Sequence, residues 1–464
     1  MKTIETDVVI LGAGTAGLNA RRAVVAADKR WVLVEGAVYG TMCARVGCMP
    51  SKLLIAAGER AHDIAHAEVF GLRLPTDALR VDGPAVLARV RRERDRFVSF
   101  VLEANERLPK DQNLFGVARF VSPTSVIVSD SGSDDVRVDA RAVVIATGTL
   151  PIVPALYAGL GDALDTNDSI FERHDLPKSL AVIGTGVIGL ELGQAMHRLG
   201  VKTTFLSRHG RFAGLSDPTV AASARAVLTR ELSVCEGEVT AAVRTSEGVR
   251  LTWTEGVREL SQTFERVLVA TGRHANVAGL DLHEAGIGLD AQGVPSFDRA
   301  TLQCGSAAVF VAGDLTGAHP VLHEAIDDGR IAGTNAARFP DIEPGVRRVP
   351  LAVTFCDPNI AVVGERWSPD HVVGEVDYAR QGRARIMAKN AGVVHVYGRP
   401  EDRRVIGAEM CGPRVEHLAH LVAWAIQSKL TVDQMLAMPF YHPVIEEGLR
   451  TALQDLQRAL NSGA

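Results

Sequence analysis

Short apolar runs alternate with helical patterns over most of the chain. Apolar runs of this length, bounded by turn residues, are typical of buried strands, and the stretches between them have the spacing of amphipathic helices. This alternation predicts an α/β fold. The runs that we interpret as strands lie at 7–11, 31–34, 142–146, 180–183, 266–270 and 309–312.

Three stretches of the first half have other patterns. Residues 53–67 and 84–108 have helical spacing, and we expect Pro50 to kink the chain just before the first of these helices. Alternating residues at 115–138 predict a small antiparallel meander.

The last part of the chain, residues 347–464, mixes both kinds of pattern. Strands are predicted within 351–363 and 393–411, and helices at 415–429 and 443–460. This part has no glycine-rich turn of the kind that binds nucleotides, so we expect an α+β module that serves as an interface domain.

A glycine-rich turn follows the first strand. Gly12, Gly14 and Gly17 lie between the run at 7–11 and a helical stretch, where glycines permit a tight turn and close approach to a pyrophosphate. Glu35 ends the next strand, twenty-three residues beyond Gly12, where a carboxylate can accept hydrogen bonds from a ribose diol. This order of strand, turn, helix, strand and acid predicts a dinucleotide site.

The same arrangement occurs a second time. Gly184, Gly186 and Gly189 follow the run at 180–183 and open a helix that runs toward Gly200. The chain is therefore predicted to bind two dinucleotides.

The second turn leaves the choice of coenzyme open. Ser207 is the residue twenty-three positions beyond Gly184, so the acid expected for NAD is absent there. Arg208, His209 and Arg211 follow, and guanidinium groups could bind the 2′-phosphate of NADP. A basic surface turn explains them nearly as well, and both NAD and NADP stay candidates.

The length and net charge of the chain indicate several domains and argue against some classes of partner. A chain of 464 residues is too long for one ordinary core, and small-residue turns after 142–146 and 266–270 mark the expected seams. A net charge of -5 argues against nucleic acid as a main partner. No apolar run could span a bilayer, and the first strand begins too early to leave room for a leader, so we expect a cytoplasmic protein and no membrane partner.

Two of the six cysteines lie close together. Cys43 and Cys48 follow the first dinucleotide turn, where two thiols beside a bound redox cofactor can form a reversible disulfide. A metal pair is the alternative, but no second pair of cysteines or histidines has zinc-finger spacing, so we expect no metal site. The scattered cysteines are interpreted as structural, and they are Cys235, Cys304, Cys356 and Cys411.

With this pair of cysteines, both glycine turns, Ala312-Gly313-Asp314 and His442-Pro443 followed by Glu447, the chain resembles the FAD-dependent pyridine nucleotide-disulfide oxidoreductases over nearly its whole length. Within that family it is most similar to the dihydrolipoamide dehydrogenases. The resemblance implies two Rossmann-like dinucleotide-binding domains and a C-terminal α+β dimerisation domain. The implied regions are an FAD-binding domain at 1–150, an NAD(P)-binding domain at 151–273, a central domain at 274–346 and a dimerisation domain at 347–464.

The resemblance also assigns chemical roles. Cys48 would be the thiol against the flavin, and Cys43 the thiol that exchanges with a dithiol or disulfide substrate. Lys52 would lie near the flavin ring and pair with Glu191. His442 with Glu447 would act as the acid-base pair for the other subunit of a homodimer, so that the active site is shared. A histidine oriented by a carboxylate suits proton transfer at neutral pH.

The remaining cofactor positions follow from the same family pattern. FAD would contact the first glycine turn and Glu35, together with Thr41, Lys52, Gly116, Thr147, Gly148, Asp314 and His323. Gly272 and Arg273 would lie near both the nicotinamide and the flavin. NAD or NADP would contact the second turn, Arg208 and Arg211.

Departures from the family pattern weaken the choice of substrate. Thr41-Met42 precede Cys43, Arg45 adds positive charge beside the thiol, and Phe440-Tyr441 precede His442. A lipoyl group is the leading substrate, free or on a lipoyl domain, with a possible place in a 2-oxoacid dehydrogenase complex. The alternative is a glutathione or other low-molecular-weight disulfide reductase that uses NADPH. Mercuric reductase is less favoured because no cysteine pair occurs in the last residues. A redox dithiol argues against a non-enzymatic flavin-binding subunit.

Overall fold

The computed structural model describes residues 1–73, 75, 79–130, 132, 134–208, 210–318 and 320–462. Two compact units divide these residues. The first unit contains Met1–Pro50, Arg92–Ile152 and Gly272–Arg348, and the second contains Ser51–Arg91, Val153–Thr271 and Val349–Ala464. The finer division into four regions stays a prediction.

A parallel sheet of five strands forms the centre of the first unit. Its strands, in spatial order, are Val309–Val311, Ala142–Ile145, Val8–Leu11, Trp31–Glu35 and Asn113–Phe115. All four residues of Val8–Leu11 are buried, because helices cover one face of the sheet and the antiparallel meander covers the other. Helices Thr15–Ala26 and Leu322–Arg338 pack closely, since a Cβ on Gly329 would lie 2.2 Å from the carbonyl oxygen of Ala16.

The predicted meander is present as a second sheet of the same unit. Val117–Ser122, Ser125–Ser129 and Val136–Asp139 pair antiparallel. Lys2–Glu5, which the sequence did not predict as a strand, adds to Val136–Asp139 in parallel. A short pair, Thr149–Pro151 with Arg273–Ala275, lies in this unit too.

The second unit has a parallel sheet of its own. Its strand order is Leu164–Asp165, Arg266–Val269, Ser179–Ile183, Lys202–Ser207 and Ser233–Glu236. Helices Val187–Arg198 and Pro218–Leu228 belong to this part. A three-stranded antiparallel sheet that the sequence did not predict follows, with strands Glu238–Thr245, Gly248–Glu255 and Arg258–Phe264.

The C-terminal part of the second unit is the predicted α+β module. Its antiparallel sheet has the order Leu351–Thr354, Asn359–Gly364, Val405–Gly412, Val393–Gly398 and Val372–Asp377. Its helices are Gly382–Ile386, Val415–Gln427, Val432–Leu436 and Glu447–Ser462. Val372–Asp377 is the strand that the sequence did not predict.

The two long helices of the N-terminal half are also present. Gly83–Glu106 matches the expected amphipathic stretch, and Met42–Arg45 forms a short helix before Cys48–Ala65. Pro50 is the third residue of Cys48–Ala65, where a missing N–H breaks no intrahelical bond. The helix therefore begins before the proline and requires no kink there. Among the described residues, no helix combines the length and apolar character needed to cross a bilayer.

Candidate active site

The first glycine turn is closed by backbone contacts that exclude a side chain. Gly12 has a φ of 107°, and a Cβ on it would lie 2.4 Å from the carbonyl oxygen of Ala146. A Cβ on Gly17 would lie 1.8 Å from the carbonyl oxygen of Gly12. At Gly14 a Cβ would meet nothing within 4 Å, so the turn is open at this glycine. A phosphate can approach helix Thr15–Ala26 from that open side.

Glu35 is fixed at the end of its strand. Its Oε2 accepts a hydrogen bond from the backbone N–H of Ala13 at 2.8 Å, and its Oε1 accepts one from Ala37 at 2.9 Å. These bonds hold the carboxylate beside the turn, where a ribose diol can reach it.

The second glycine turn repeats the first in detail. Gly184 has a φ of 109°, and a Cβ on it would lie 2.6 Å from the carbonyl oxygen of Ala270. A Cβ on Gly189 would lie 2.2 Å from the carbonyl oxygen of Gly184, while Gly186 is open. Both turns thus have the same steric design.

The strand end beside the second turn differs from the first. Ser207 Oγ lies 3.0 Å from Thr185 Oγ1, and Thr185 donates to the carbonyl oxygen of Arg211 at 2.5 Å. Arg208 forms an exposed ion pair with Glu238. His209 lies outside the described residues, and no carboxylate occupies the position that Glu35 has in the first unit.

The two cysteines lie at the start of consecutive helices. Cys43 is half-buried in the short helix Met42–Arg45, which Thr41 caps by accepting the N–H of Ala44 at 3.2 Å. Cys48 is exposed and is the first residue of Cys48–Ala65. The N-terminus of a long helix stabilises negative charge, which favours a thiolate there.

Arg273 is tied to the segment that contains the cysteines. Its Nε donates to Thr149 Oγ1 at 2.9 Å, and its Nη2 lies 2.8 Å from the carbonyl oxygen of Thr149 and 3.2 Å from Met42 Sδ. The sequence predicted Arg273 and missed Thr149. In the sequence, this contact is indicated only by the repeated Ala-Thr-Gly at 146–148 and 270–272, because Thr149 and Arg273 each follow one copy.

Asp314 lies in a charged cluster of the first unit. Burial raises the pKa of its carboxyl group, the cation of Arg273 lowers it, and Asp328 raises it again. Asp328 accepts the N–H of Gly313 at 3.1 Å and pairs with Arg347 at 2.7 Å. A hydroxyl group that donated to the Asp314 carboxylate would offset part of the desolvation that raises its pKa.

Several buried side-chain polar atoms of the first unit make no hydrogen bond among the described residues, and two of them belong to residues predicted to contact the cofactor. Thr147 Oγ1 and His323 Nε2 have no hydrogen bond within the described ranges. Nearby backbone is shaped by glycines: Gly116 has a φ of 150°, Gly148 of 70° and Gly272 of 121°. Orphaned polar atoms, the open turn and the fixed Glu35 together fit the expected FAD, which would supply hydrogen-bonding groups along its length.

Lys52 and Glu191 form a direct ion pair within the second unit. Lys52 Nζ lies 2.7 Å from Glu191 Oε2, and the Lys52 side chain is 36% exposed whereas that of Glu191 is 5% exposed. Phe355 completes the group, because its N–H donates to Glu191 Oε1 at 2.9 Å and its ring centroid lies 4.5 Å from Lys52 Nζ. No pattern in the sequence indicated Phe355, which is 164 residues from Glu191.

His442 and Glu447 also meet as expected from the sequence. His442 Nδ1 lies 3.0 Å from Glu447 Oε1 and 3.1 Å from Oε2, and the histidine side chain is 81% exposed. The hydrogen bond from His442 lowers the pKa of the Glu447 carboxyl group. A carboxylate on Nδ1 leaves Nε2 as the ring nitrogen that can exchange protons with a substrate.

Comparison with protein families identifies both parts of the chain. Residues 6–332 match the pyridine nucleotide-disulphide oxidoreductase family, and residues 350–453 match the dimerisation domain of that family. The dihydrolipoyl dehydrogenase of Bacillus subtilis is 28% identical over 459 residues, which cover 96% of this chain and 97% of that protein. The mercuric reductase of Acidithiobacillus ferrooxidans is 30% identical over 98% of this chain and 83% of its own length.

Solved structures share the fold. LpdA from Mycobacterium tuberculosis superposes with a TM-score of 0.83 at 22% identity and 99% coverage of both chains. The HOCl-induced flavoprotein disulfide reductase RclA from Escherichia coli gives a TM-score of 0.78 at 22% identity, with 97% of this chain and 98% of that chain covered. The chain belongs to the pyridine nucleotide-disulphide oxidoreductase family, and it is a disulfide oxidoreductase that uses FAD and NAD(P)H.

Proposed function

We propose that this chain is a dihydrolipoyl dehydrogenase, which moves electrons between a lipoyl dithiol and NAD(P) through FAD and a Cys43–Cys48 disulfide. The observation that carries the proposal is the cysteine pair, with Cys48 at the N-terminus of an eighteen-residue helix. The name of the Bacillus subtilis relative supports the lipoyl substrate at 28% identity.

The thiol steps follow from the chemistry of disulfide exchange. A thiolate of the dihydrolipoyl group attacks Cys43 Sγ, which forms a mixed disulfide and releases Cys48 as a thiolate. The second substrate thiolate then attacks the substrate sulfur of the mixed disulfide. Cys43 leaves as a thiolate, and the lipoyl group closes its own disulfide.

Protons need a carrier during these steps. His442 of the partner subunit would take a proton at Nε2 from a substrate thiol, while Glu447 holds Nδ1–H and stabilises the imidazolium. Bound FAD supplies the two-electron chemistry between the dithiol and the nicotinamide. Lys52 and Glu191 would place a neutralised charge pair near the flavin ring.

The two glycine turns would divide the nucleotides between them. The turn at Gly12, Gly14 and Gly17 would hold the FAD pyrophosphate, with Glu35 on the ribose and Asp314 on the ribityl chain. The remaining proposed FAD contacts are Thr41, Lys52, Gly116, Thr147, Gly148, Gly272, Arg273 and His323. The turn at Gly184, Gly186 and Gly189 would hold NAD or NADP, with Arg208 and Arg211 beside it.

The proposed assembly is a homodimer. The match of residues 350–453 to the family's dimerisation domain supports it. Relatives named dihydrolipoyl dehydrogenase also support a place in a 2-oxoacid dehydrogenase complex.

A glutathione or other low-molecular-weight disulfide reductase is the second candidate. It is favoured by Ser207 in place of an acid, by Arg208 and Arg211 after it, and by Arg45 beside the thiol. These residues suit NADPH and an anionic disulfide.

One set of assays tests the proposal. Purified holoenzyme is given lipoamide or oxidised glutathione, each with NADH and with NADPH, and coenzyme oxidation is followed. Turnover of lipoamide in preference to glutathione is expected, and the reverse preference would move the chain to the second candidate. Cys43→Ser should abolish disulfide reduction while FAD stays bound, and Cys235→Ser, a change at a cysteine with no proposed role, should leave turnover unchanged. Full lipoamide activity in Cys43→Ser would reject the scheme.

A further inference from the structure

The Lys52–Glu191 pair depends on a loop that comes from the C-terminal part of the second unit. Residues 354–358 pass beside helix Val187–Arg198, and Phe355 contacts both members of the pair. Contacts that hold this loop in place therefore also hold the Lys52–Glu191 pair in place.

Gln194 fixes the loop with its whole side-chain amide. Its Oε1 accepts the backbone N–H of Asp357 at 2.8 Å, and its Nε2 donates to the carbonyl oxygen of the same residue at 2.9 Å. The same Nε2 lies 2.9 Å from Glu231 Oε2. Gln194 is 3% exposed and lies one helical turn after Glu191, so one helix face holds both the acid and its support.

Ion pairs reinforce the same loop. Asp357 pairs with Arg198 and with Lys389, each at 3.1 Å. Although burial alone would raise the pKa of Asp357, these two cations lower it. The aspartate is thus charged and held from two sides.

Little space is left for water to replace these contacts. The cavity beside the helix and the loop has a volume of about 10 Å³, and Glu191, Gln194, Arg198, Phe355 and Asp357 are among the residues that line it. Such a volume holds about one water molecule at most. In the intact protein the Gln194 amide therefore makes its contacts directly, with room for about one water molecule beside it.

We infer that Gln194 is a positioning residue for the Lys52–Glu191 pair, which it acts on through Asp357 and Phe355. The inference rests on the proposed function only for the place of that pair beside the flavin. The geometry of the pair itself can be measured separately.

Trace acetylation of lysines in the holoenzyme, followed by mass spectrometry, reports how well Lys52 is paired. Gln194→Met keeps the length of the side chain and removes its amide, so Lys52 acetylation relative to the exposed Lys202 should rise about fivefold. Phe355→Leu keeps the backbone N–H and removes the ring, and it should raise the ratio less. Ser216→Ala is the matched control, because it removes a hydroxyl group that donates to Glu409 elsewhere in the same unit, and it should leave the ratio unchanged.

A second readout separates the inference from the proposed function. The midpoint potential of bound FAD should shift in Gln194→Met, and the shift should vanish when Glu191→Gln is already present. If Lys52 acetylation rises while the potential stays constant, positioning is supported and the proposed place of Lys52 beside the flavin is rejected. Unchanged acetylation in Gln194→Met overturns the inference, and if that variant does not fold, unchanged acetylation in Phe355→Leu does so.

Discussion

The two glycine turns have the same backbone contacts, but the strands that follow them end in different residues. In both, a Cβ on the first or third glycine would meet a carbonyl oxygen at 1.8–2.6 Å, and the second glycine is open. In the first unit, Glu35 accepts the N–H of Ala13, twenty-two residues away. At the matching positions of the second unit, Ser207 and Thr185 meet through their hydroxyl groups, again twenty-two residues apart.

This difference separates two functions of one motif. The glycines close the turn and are determined by sterics, so they must agree between the regions. The residue at the strand end faces the ribose and is free to differ. Similar turns therefore do not imply similar nucleotides.

The largest expected effect is the loss of stability when a glycine that closes either turn is replaced. Gly17→Ala and Gly189→Ala place a Cβ 1.8 Å and 2.2 Å from a backbone oxygen, so each should lower the free energy of unfolding of the FAD-free protein by about 3 kcal/mol or more. Urea denaturation measures this loss. Gly14→Ala and Gly186→Ala are the controls, because their Cβ atoms meet nothing within 4 Å, and their stability should stay within about 0.5 kcal/mol. Equal losses at the second and third glycines would contradict the steric account.

Substitutions at the two strand ends should have opposite effects on nucleotide binding: removal of the acid weakens it in the first unit, and addition of an acid favours NADH in the second. Glu35→Gln removes the charge that accepts two backbone N–H groups and should weaken FAD binding about tenfold, measured by titration of the FAD-free protein. Thr185→Ala combined with Ser207→Glu copies the first region into the second and should raise the ratio of kcat/KM for NADH over NADPH by about tenfold or more. An unchanged coenzyme ratio with intact folding would show that the strand end does not select the coenzyme.

A smaller effect is expected at the basic turn. Arg208 is exposed and pairs with Glu238, so Arg208→Ala should raise KM for NADPH by about two- to fivefold and leave KM for NADH unchanged. Arg230→Ala, a change at an exposed arginine without a proposed role, is the control. Equal effects on both coenzymes would point to general electrostatics.

The smallest effect concerns stability and pH in the first unit. Burial raises the pKa of Asp314 above its ordinary value of 3.8, so ionisation costs the folded state more than the unfolded state. This cost is absent below pH 3.8, where the carboxyl group is protonated in both states. It grows as the pH rises from there and is complete above the raised pKa of the folded state. FAD-free Asp314→Asn should therefore be more stable than the parent at pH 7, and the difference should shrink toward pH 4. A difference that is constant with pH would assign the gain to packing.

The sequence predicted those features that local chemistry determines. Both glycine turns and Glu35 depend on residues at a fixed spacing, and each lies where the pattern indicated. The resemblance to the family supplied the His442–Glu447 pair, whose members are five residues apart. The resemblance to the family supplied the Lys52–Glu191 pairing, which spans 139 residues.

Other features were missed for physical reasons. The sheet of residues 238–264 has exposed positions on its outer strands, so its alternation is weak. Lys2–Glu5 is an edge strand with exposed residues and little apolar signal. Gln194 and Phe355 act through contacts with residues more than 160 positions away, which no local pattern encodes.

The exposure of His442 has a consequence for how activity depends on concentration. The ring is 81% exposed, so the proton carrier lies where a second copy of the chain can use it. In the proposed homodimer each reaction centre needs two chains, and dilution below the dimer dissociation constant would abolish turnover while each separate chain kept its FAD. Mixing two inactive variants, Cys43→Ser and His442→Ala, would by the same logic restore part of the activity, because one of the two centres in a mixed dimer would have both cysteines and a histidine.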